Sequence, residues 1–284
     1  MIQVLHPGLY TSIQDLGRLG YRHIGVPTSG PMDTVSAELA NALLNNDPND
    51  ALMEITMLGP RLHFLEAATM VLTGAEMSAR INDKVLLTNK PYTVASGDIL
   101  SFGRLRQGLR CYLAVKGGFS AHKVMGSRSM YAGITESGRL KAHEVISFVS
   151  SNALIEPGSV GKGRVSPHHT FFHNATLPVY KGPEFDLFSA RQQSILTSRQ
   201  FTVSNHSDRM GYQLNEAVFK HRKSMITSPV LPGTVQLTPA GKLVILMKDA
   251  QTTGGYPRIF QLPESSLAMV AQKKPGDPLG FGLL

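Results

Sequence analysis

Four polar, glycine-rich clusters in this chain carry residue types and spacings that core packing does not explain. The sharpest is Lys248-Asp249-Ala250-Gln251-Thr252-Thr253-Gly254-Gly255-Tyr256-Pro257, directly after the apolar run Leu243 to Met247. A strand that delivers such side chains and then a Gly-Gly hinge builds a site at the end of a rigid scaffold. Asp249 could act as a base or hold a cation, Gln251 could bind an amide, and Tyr256 could donate to an oxyanion. The structural alternative is a hairpin with Gly-Gly in its turn.

The second cluster, Ser204 to Tyr212, sets six polar side chains before Gly211. Asp208 and Arg209 are adjacent and point to opposite faces of an extended chain, so they are not a simple ion pair; one of them faces a ligand, or the stretch is a solvated loop. The third joins Lys116-Gly117-Gly118-Phe119 to Gly126-Ser127-Arg128-Ser129, which could form an anion pocket from backbone N–H groups and cations, or a strand-end turn. The fourth, Thr11 to Asp33, scatters Gln14, Asp15, Arg18, Arg22, His23 and Asp33 among four glycines. Its alternative is a surface arm leading into a capped helix, with Asp33 a favourable first-turn charge.

The elements that must position these clusters are mostly short strands. Met70–Thr73, Lys84–Leu87, Tyr92–Val94, Ile99–Phe102 and Arg110–Val115 are bounded by turn residues, and Leu177–Tyr180, Phe201–Val203, Thr234–Leu237 and Leu243–Met247 repeat the rhythm later. Helices are expected from Met32 to Leu43 with a cap at Ser29-Gly30-Pro31, over roughly Pro183 to Ser198, and around Ser265 to Gln272. A weak internal echo places Gly-Asp before an apolar residue and Phe-Gly in both Tyr92–Gly103 and Met269–Gly282. The chain therefore reads as mainly β with a few peripheral helices: a β domain over 1–150, a linker or long loop over 151–167, and a second β domain over 168–284.

Composition narrows the function. Gly 27 and Pro 17 in 284 residues favour turn-rich β structure over a helix bundle. The charge of +8 permits nucleic-acid binding, but the basic stretches Arg104–Arg110 and Lys220–Lys223 are short and sit in no recognition signature, so an anionic ligand or acidic partner is the better match. A lone Cys111 excludes internal disulfides and fits a reducing cytoplasm; no secretion signal or membrane-length apolar run is found. Walker A, His-Glu-x-x-His and Gly-x-Ser-x-Gly motifs are missing, so nucleotide handling falls to another chain. His168, His169 and His173 could bind adventitious metal, although a surface turn explains them better, and no metal site is expected.

The chain resembles the family that holds the C-type subunit of 5-oxoprolinase, kinase-inhibitor antagonists, allophanate hydrolase subunit 2 and the urea carboxylase carboxyltransferase domain. The strings that carry this are TSIQDLGRLGYRHIGVPTSGPMD at 11–33, YLAVKGGF at 112–119, GSRSMY at 126–131, GPEFD at 182–186, SDRMGYQL at 207–214, SPVLPGTVQLTPAGK at 228–242 and DAQTTGGYP at 249–257. The resemblance implies two cyclophilin-like β-barrel domains. It also implies the C-type subunit of an ATP-dependent complex that opens 5-oxoproline to glutamate, with the A-type and B-type 5-oxoprolinase subunits as partners and the B-type one in direct contact. This chain alone would bind no cofactor; ATP would belong mainly to a partner. Two alternatives are a carboxyltransferase moving a carboxyl group from carboxybiotin to urea, the only reading that brings in biotin, and a binding protein that antagonises a histidine-kinase inhibitor.

Under this resemblance Asp249, Gln251 and Tyr256 would polarise the reacting group, and Arg18, Arg128 and Arg209 would bind the substrate carboxylate. Asp33, Lys116, Asp208 and Thr253 complete the expected substrate-binding set. The chain departs from the family pattern at Ile134–Gly138, Ala142–Glu144 and Asn215–Val218.

Overall fold

The computed structural model of the chain describes residues 1–149, 174–223 and 225–284; the expected linker and His168, His169 and His173 lie outside these residues. Two compact units emerge, one of Met1–Leu19 with residues 29–149, the other of Gly20–Thr28 with residues 174–284. Gly20–Thr28, which the sequence-based division places in the first domain, thus groups with the second. One bond that ties it there runs from Arg22 Nη2 to the carbonyl of Val230.

Strands of the first unit are β1 (Ile2–His6), β2 (Tyr10–Gln14), β3 (Leu52–Thr56), β4 (Arg61–Phe64), β5 (Ala68–Glu76), β6 (Arg80–Ile81), β7 (Lys84–Val85), β8 (Tyr92–Val94), β9 (Ile99–Ser101), β10 (Gln107–Val115) and β11 (Val145–Ile146). They form two antiparallel sheets, ordered β11-β1-β4-β9-β6-β7 and β2-β3-β10-β5-β8. Strand β10 runs down the middle of the second, with Leu113 opposite Met53 on one side and Leu72 on the other. The two-residue period of a strand splits its side chains. Cys111, Leu113 and Val115 enter the main core with Ile13, Met53 and Phe64, while Tyr112 and Ala114 pack beneath helix α1 (Thr34–Leu43) through Ala37 and Ala40. The Thr11–Gln14 stretch, for which a surface arm is the structural alternative, is a buried strand, its Ser12 and Gln14 inside the sheet.

In the second unit the strands are β12 (Thr176–Lys181), β13 (Phe201–Thr202), β14 (Gly211–Gln213), β15 (Ser228–Pro229), β16 (Thr234–Leu237), β17 (Leu243–Leu246), β18 (Thr253–Gly254), β19 (Arg258–Gln261) and β20 (Pro278–Leu283). Seven of them make one sheet in the order β13-β20-β12-β19-β16-β17-β14, and β15 with β18 makes a short ribbon. Phe260 stacks at 5.4 Å from Phe185 and 5.0 Å from Phe281, an aromatic core of the kind that adds to simple area burial. Helix α2 (Ala190–Ser198) starts on a Ser189–Gln192 capping box, after a separate 3-10 turn at Phe185–Leu187, so the single helix expected from Pro183 is two pieces. Helix α3 (Glu264–Ala271) lies where the third helix is expected.

The internal echo has a structural counterpart. Gly97 and Gly276 both adopt positive φ, at 93° and 87°. Asp98 and Asp277 each accept a bond on Oδ2 from the N–H three residues earlier, at 2.8 Å from Ala95 and 3.0 Å from Lys274. The same turn therefore opens β9 in one unit and β20 in the other. The mainly β architecture with few helices is as the sequence implies. No helix among the described residues is long and apolar enough to cross a membrane.

Candidate functional site

In the first unit the TSIQDLGR and GSRS strings meet. Asp15, at the end of β2, is 3% exposed. Its Oδ1 accepts from Gly17 N (3.0 Å), Ser127 Oγ (2.5 Å) and Ser129 Oγ (2.8 Å), and its Oδ2 from Arg128 N at 2.6 Å. A buried carboxylate survives only when its lone pairs are filled this way. Arg18, wholly buried, donates from Nε to Val124 O at 3.0 Å and from Nη2 to Ser129 O at 2.8 Å. Its guanidinium, expected to meet a substrate carboxylate, is committed to the carbonyls of the loop it clasps.

Asp15 and Arg18 together fix residues 124–129, and Arg128 is what that loop presents. Its side chain lines a cavity of about 430 Å³ walled by Ile13, Met130, Leu140 and Ile146. Arg128 Nε is buried and has no hydrogen-bond partner among the described residues, a condition that costs about 1–3 kcal/mol for an ordinary polar donor and more for a charged one. A smaller cavity of about 270 Å³, over Pro7, Leu9 and Lys141, contains none of the expected site residues.

Asp33 and Lys116 have structural duties at the two ends of α1. Asp33 is the N-cap, accepting from Ser36 N at 3.0 Å and Ser36 Oγ at 2.6 Å, so the cap lies at Asp33 rather than at Ser29-Gly30-Pro31. Lys116 Nζ donates to Leu44 O and Asn45 O, both at 2.8 Å, putting a cation where helix carbonyls point outward.

Between them lies a buried group that sequence reasoning missed. Glu54 Oε2 accepts from Met32 N at 2.7 Å and from Tyr112 OH at 2.9 Å, and Arg110 Nε is 3.8 Å from Oε1. Burial, with the nearby charges of Glu54 and Asp33, pushes the Tyr112 phenol well above its ordinary value. The available signal was a charge inside each of two apolar strands, Leu-Met-Glu-Ile and Leu-Arg-Cys-Tyr.

In the second unit, two of the clusters converge. Arg209 Nε lies 2.7 Å from Asp249 Oδ2 and Nη2 lies 3.1 Å from Oδ1, both side chains largely buried. Asp249, expected as a base, thus has both oxygens engaged by a guanidinium. Asp208 closes its own loop, accepting from Met210 N at 2.8 Å and Gly211 N at 3.1 Å. Gln251, Thr253 and Tyr256 are exposed or partly so, Thr253 within the β15–β18 ribbon.

Below that ribbon, Gln236 Nε2 packs against Gly254, where a Cβ would fall 2.4 Å from it and the Gln236 side chain would have to move. Gln236 Nε2 is buried without a partner among the described residues. Arg258, beside the ribbon, grips Glu184 at 2.8 and 2.7 Å, and this pairing holds the Glu184 carboxyl below its usual range. Among the described residues no three His, Cys, Asp or Glu side chains gather as a metal site.

A family model described as "Carboxyltransferase domain, subdomain A and B" matches residues 24–283. The C-type subunit of the 5-oxoprolinase of Escherichia coli K12 is 31% identical, over 99% of this chain and 90% of its own. The urea amidolyase of Lachancea kluyveri is 32% identical over 98% of this chain, which spans 17% of that protein. The solved Kluyveromyces lactis urea carboxylase superposes with a TM-score of 0.87 and 31% identity, covering 100% of this chain and 27% of that one.

Proposed function

The chain belongs to the family of carboxyltransferase domains, subdomains A and B, and from that premise we propose that it is the C-type subunit of an ATP-dependent 5-oxoprolinase complex. The observation that carries this is similarity along the whole chain: the C-type 5-oxoprolinase subunits of Escherichia coli K12 and Haemophilus influenzae are each 31% identical over 99% of it. A lactam carbonyl resists water, so ATP phosphorylates its oxygen and leaves as ADP; one water then adds to the activated carbon and the C–N bond breaks to give an acyl phosphate, which a second water hydrolyses to glutamate and phosphate. With no nucleotide motif in the sequence, the A-type and B-type partners supply the ATP site and the B-type one makes the direct contact.

Within this reading Gln251, Thr253 and Tyr256 offer amide and hydroxyl groups to the lactam at the ribbon. Asp249 and Arg209 act as a positioning pair that holds the preceding loop. The test is co-expression with the candidate A-type and B-type subunits. Recovery of a ternary complex that forms glutamate from 5-oxoproline only with ATP supports the reading; a complex active without this chain overturns it.

A second reading, transfer of a carboxyl group from carboxybiotin to urea, draws on the likeness to urea carboxylase. It requires a biotinylated carrier to co-purify, and carboxylation of urea would mark it.

A further inference from the structure

Arg128 is held in place by its backbone rather than by its head group. Its N–H donates to Asp15 Oδ2 at 2.6 Å, and its neighbours Ser127 and Ser129 are bonded to the same carboxylate. The guanidinium is thereby carried to the wall of the cavity with Nε buried and unbonded among the described residues. The apolar residues of that wall, Ile13, Leu140 and Ile146, are 1%, 4% and 8% exposed. The volume of about 430 Å³ lies in the range of small-molecule sites.

We propose that this cavity is a binding site for a small organic monocarboxylate with a compact apolar body, its carboxylate on Arg128 and its body against Ile13, Leu140 and Ile146. A guanidinium edge matches a carboxylate through paired donors. The rim argues for a single negative charge. Lys141 shares that rim with two carboxylates, Glu136 and Glu144, with Glu144 Oε2 bonded to Lys141 N at 2.9 Å, and the two carboxylates oppose a phosphate dianion or a nucleotide. The inference rests on the preceding reading for its choice of ligand, since 5-oxoproline is a monocarboxylate on a small ring with two methylene groups; the cavity is a binding site built from other residues than the ribbon proposed for the reacting lactam.

The test is isothermal titration calorimetry on the full chain, without partner subunits, using 5-oxoproline, 2-pyrrolidinone and inorganic phosphate. The two lactams share a ring and differ by the carboxylate. Binding of 5-oxoproline about tenfold or more tighter than 2-pyrrolidinone is expected, with R128Q removing that advantage and R128K keeping part of it. S147W, which narrows the cavity from its exposed rim without touching Arg128, should also weaken binding. S147W should keep the parent's melting temperature because Ser147 is exposed, and R128Q should not lower it, because Arg128 Nε is unbonded among the described residues. The proposal is overturned if R128Q binds 5-oxoproline as the parent does, if phosphate binds more tightly, or if the parent binds no 5-oxoproline. A chain that passes this test but supports no turnover with its partners would sink the 5-oxoprolinase reading alone; turnover without binding here would sink the cavity alone.

Discussion

Asp249 and Arg209, forty residues apart in sequence, form a two-pronged buried ion pair, with Oδ2 at 2.7 Å from Nε and Oδ1 at 3.1 Å from Nη2. Asp249 N also donates to Arg209 O at 2.9 Å, so side chains and backbone lock the same two loops together. The loop that leads into Gln251, Thr253 and Tyr256 is anchored here.

Breaking one half of a buried pair leaves a charge without a partner, which costs about 3–5 kcal/mol. D249N and R209M should each lose stability of that order in urea titration. The double variant D249N/R209M should lose clearly less than the sum, because no charge is stranded. Additive losses would mean that the pair contributes no coupling.

Helix α1 is held at both ends by residues that resemble ligand binders in sequence. D33A removes the bond to Ser36 N and should cost about 1 kcal/mol. K116M removes two bonds to Leu44 O and Asn45 O and should cost about 0.3–1 kcal/mol, with less effect at high salt. If either change altered binding of 5-oxoproline while leaving stability untouched, the capping role would be refuted.

Glu184 predicts a pH dependence whose sign is fixed by its depressed carboxyl. Hydrogen bonds from Arg258 lower its value from 4.5, so folding gains from the ionised form above the unfolded value. That gain is lost as pH falls through the folded value. E184Q should therefore be less stable than the parent near neutrality, and the gap should narrow on acidification below about 4.5. A gap that stays constant with pH would contradict the pairing.

Cys111 is 1% exposed and burial pushes its thiol up to about 12. The thiolate is the reactive form, so a disulfide reagent at mildly alkaline pH should leave the native protein unlabelled and modify it fully in urea. Rapid labelling of the native chain would show that β10 opens far more readily than its packing allows.

Much of the fold was legible because it rests on short-range signals. Strand β10 announced itself by the run Arg110–Val115, and the Gly-Asp echo marked two turns that share positive φ and an aspartate acceptor. β1 to β4 were missed because polar residues interrupt them, among them Gln3, Ser12, Glu54 and His63. Some of these polar groups find partners in distant segments, as Glu54 does with Tyr112. The site was harder to read for the same reason. Arg18, Arg128 and Lys116 are equally basic in sequence, yet carbonyls of residues far along the chain occupy Arg18 and Lys116 and leave Arg128 Nε unbonded among the described residues. Adjacency did separate Asp208 from Arg209, but nothing local pointed Arg209 to Asp249.

The central claim is tested most directly by glutamate formation from 5-oxoproline in a complex reconstituted from this chain and its candidate A-type and B-type partners. Glutamate and ADP should appear in equal amounts, and both should vanish when this chain or ATP is omitted. Equal turnover without this chain, or carboxylation of urea by this chain with a biotinylated carrier in place of lactam opening, would contradict it.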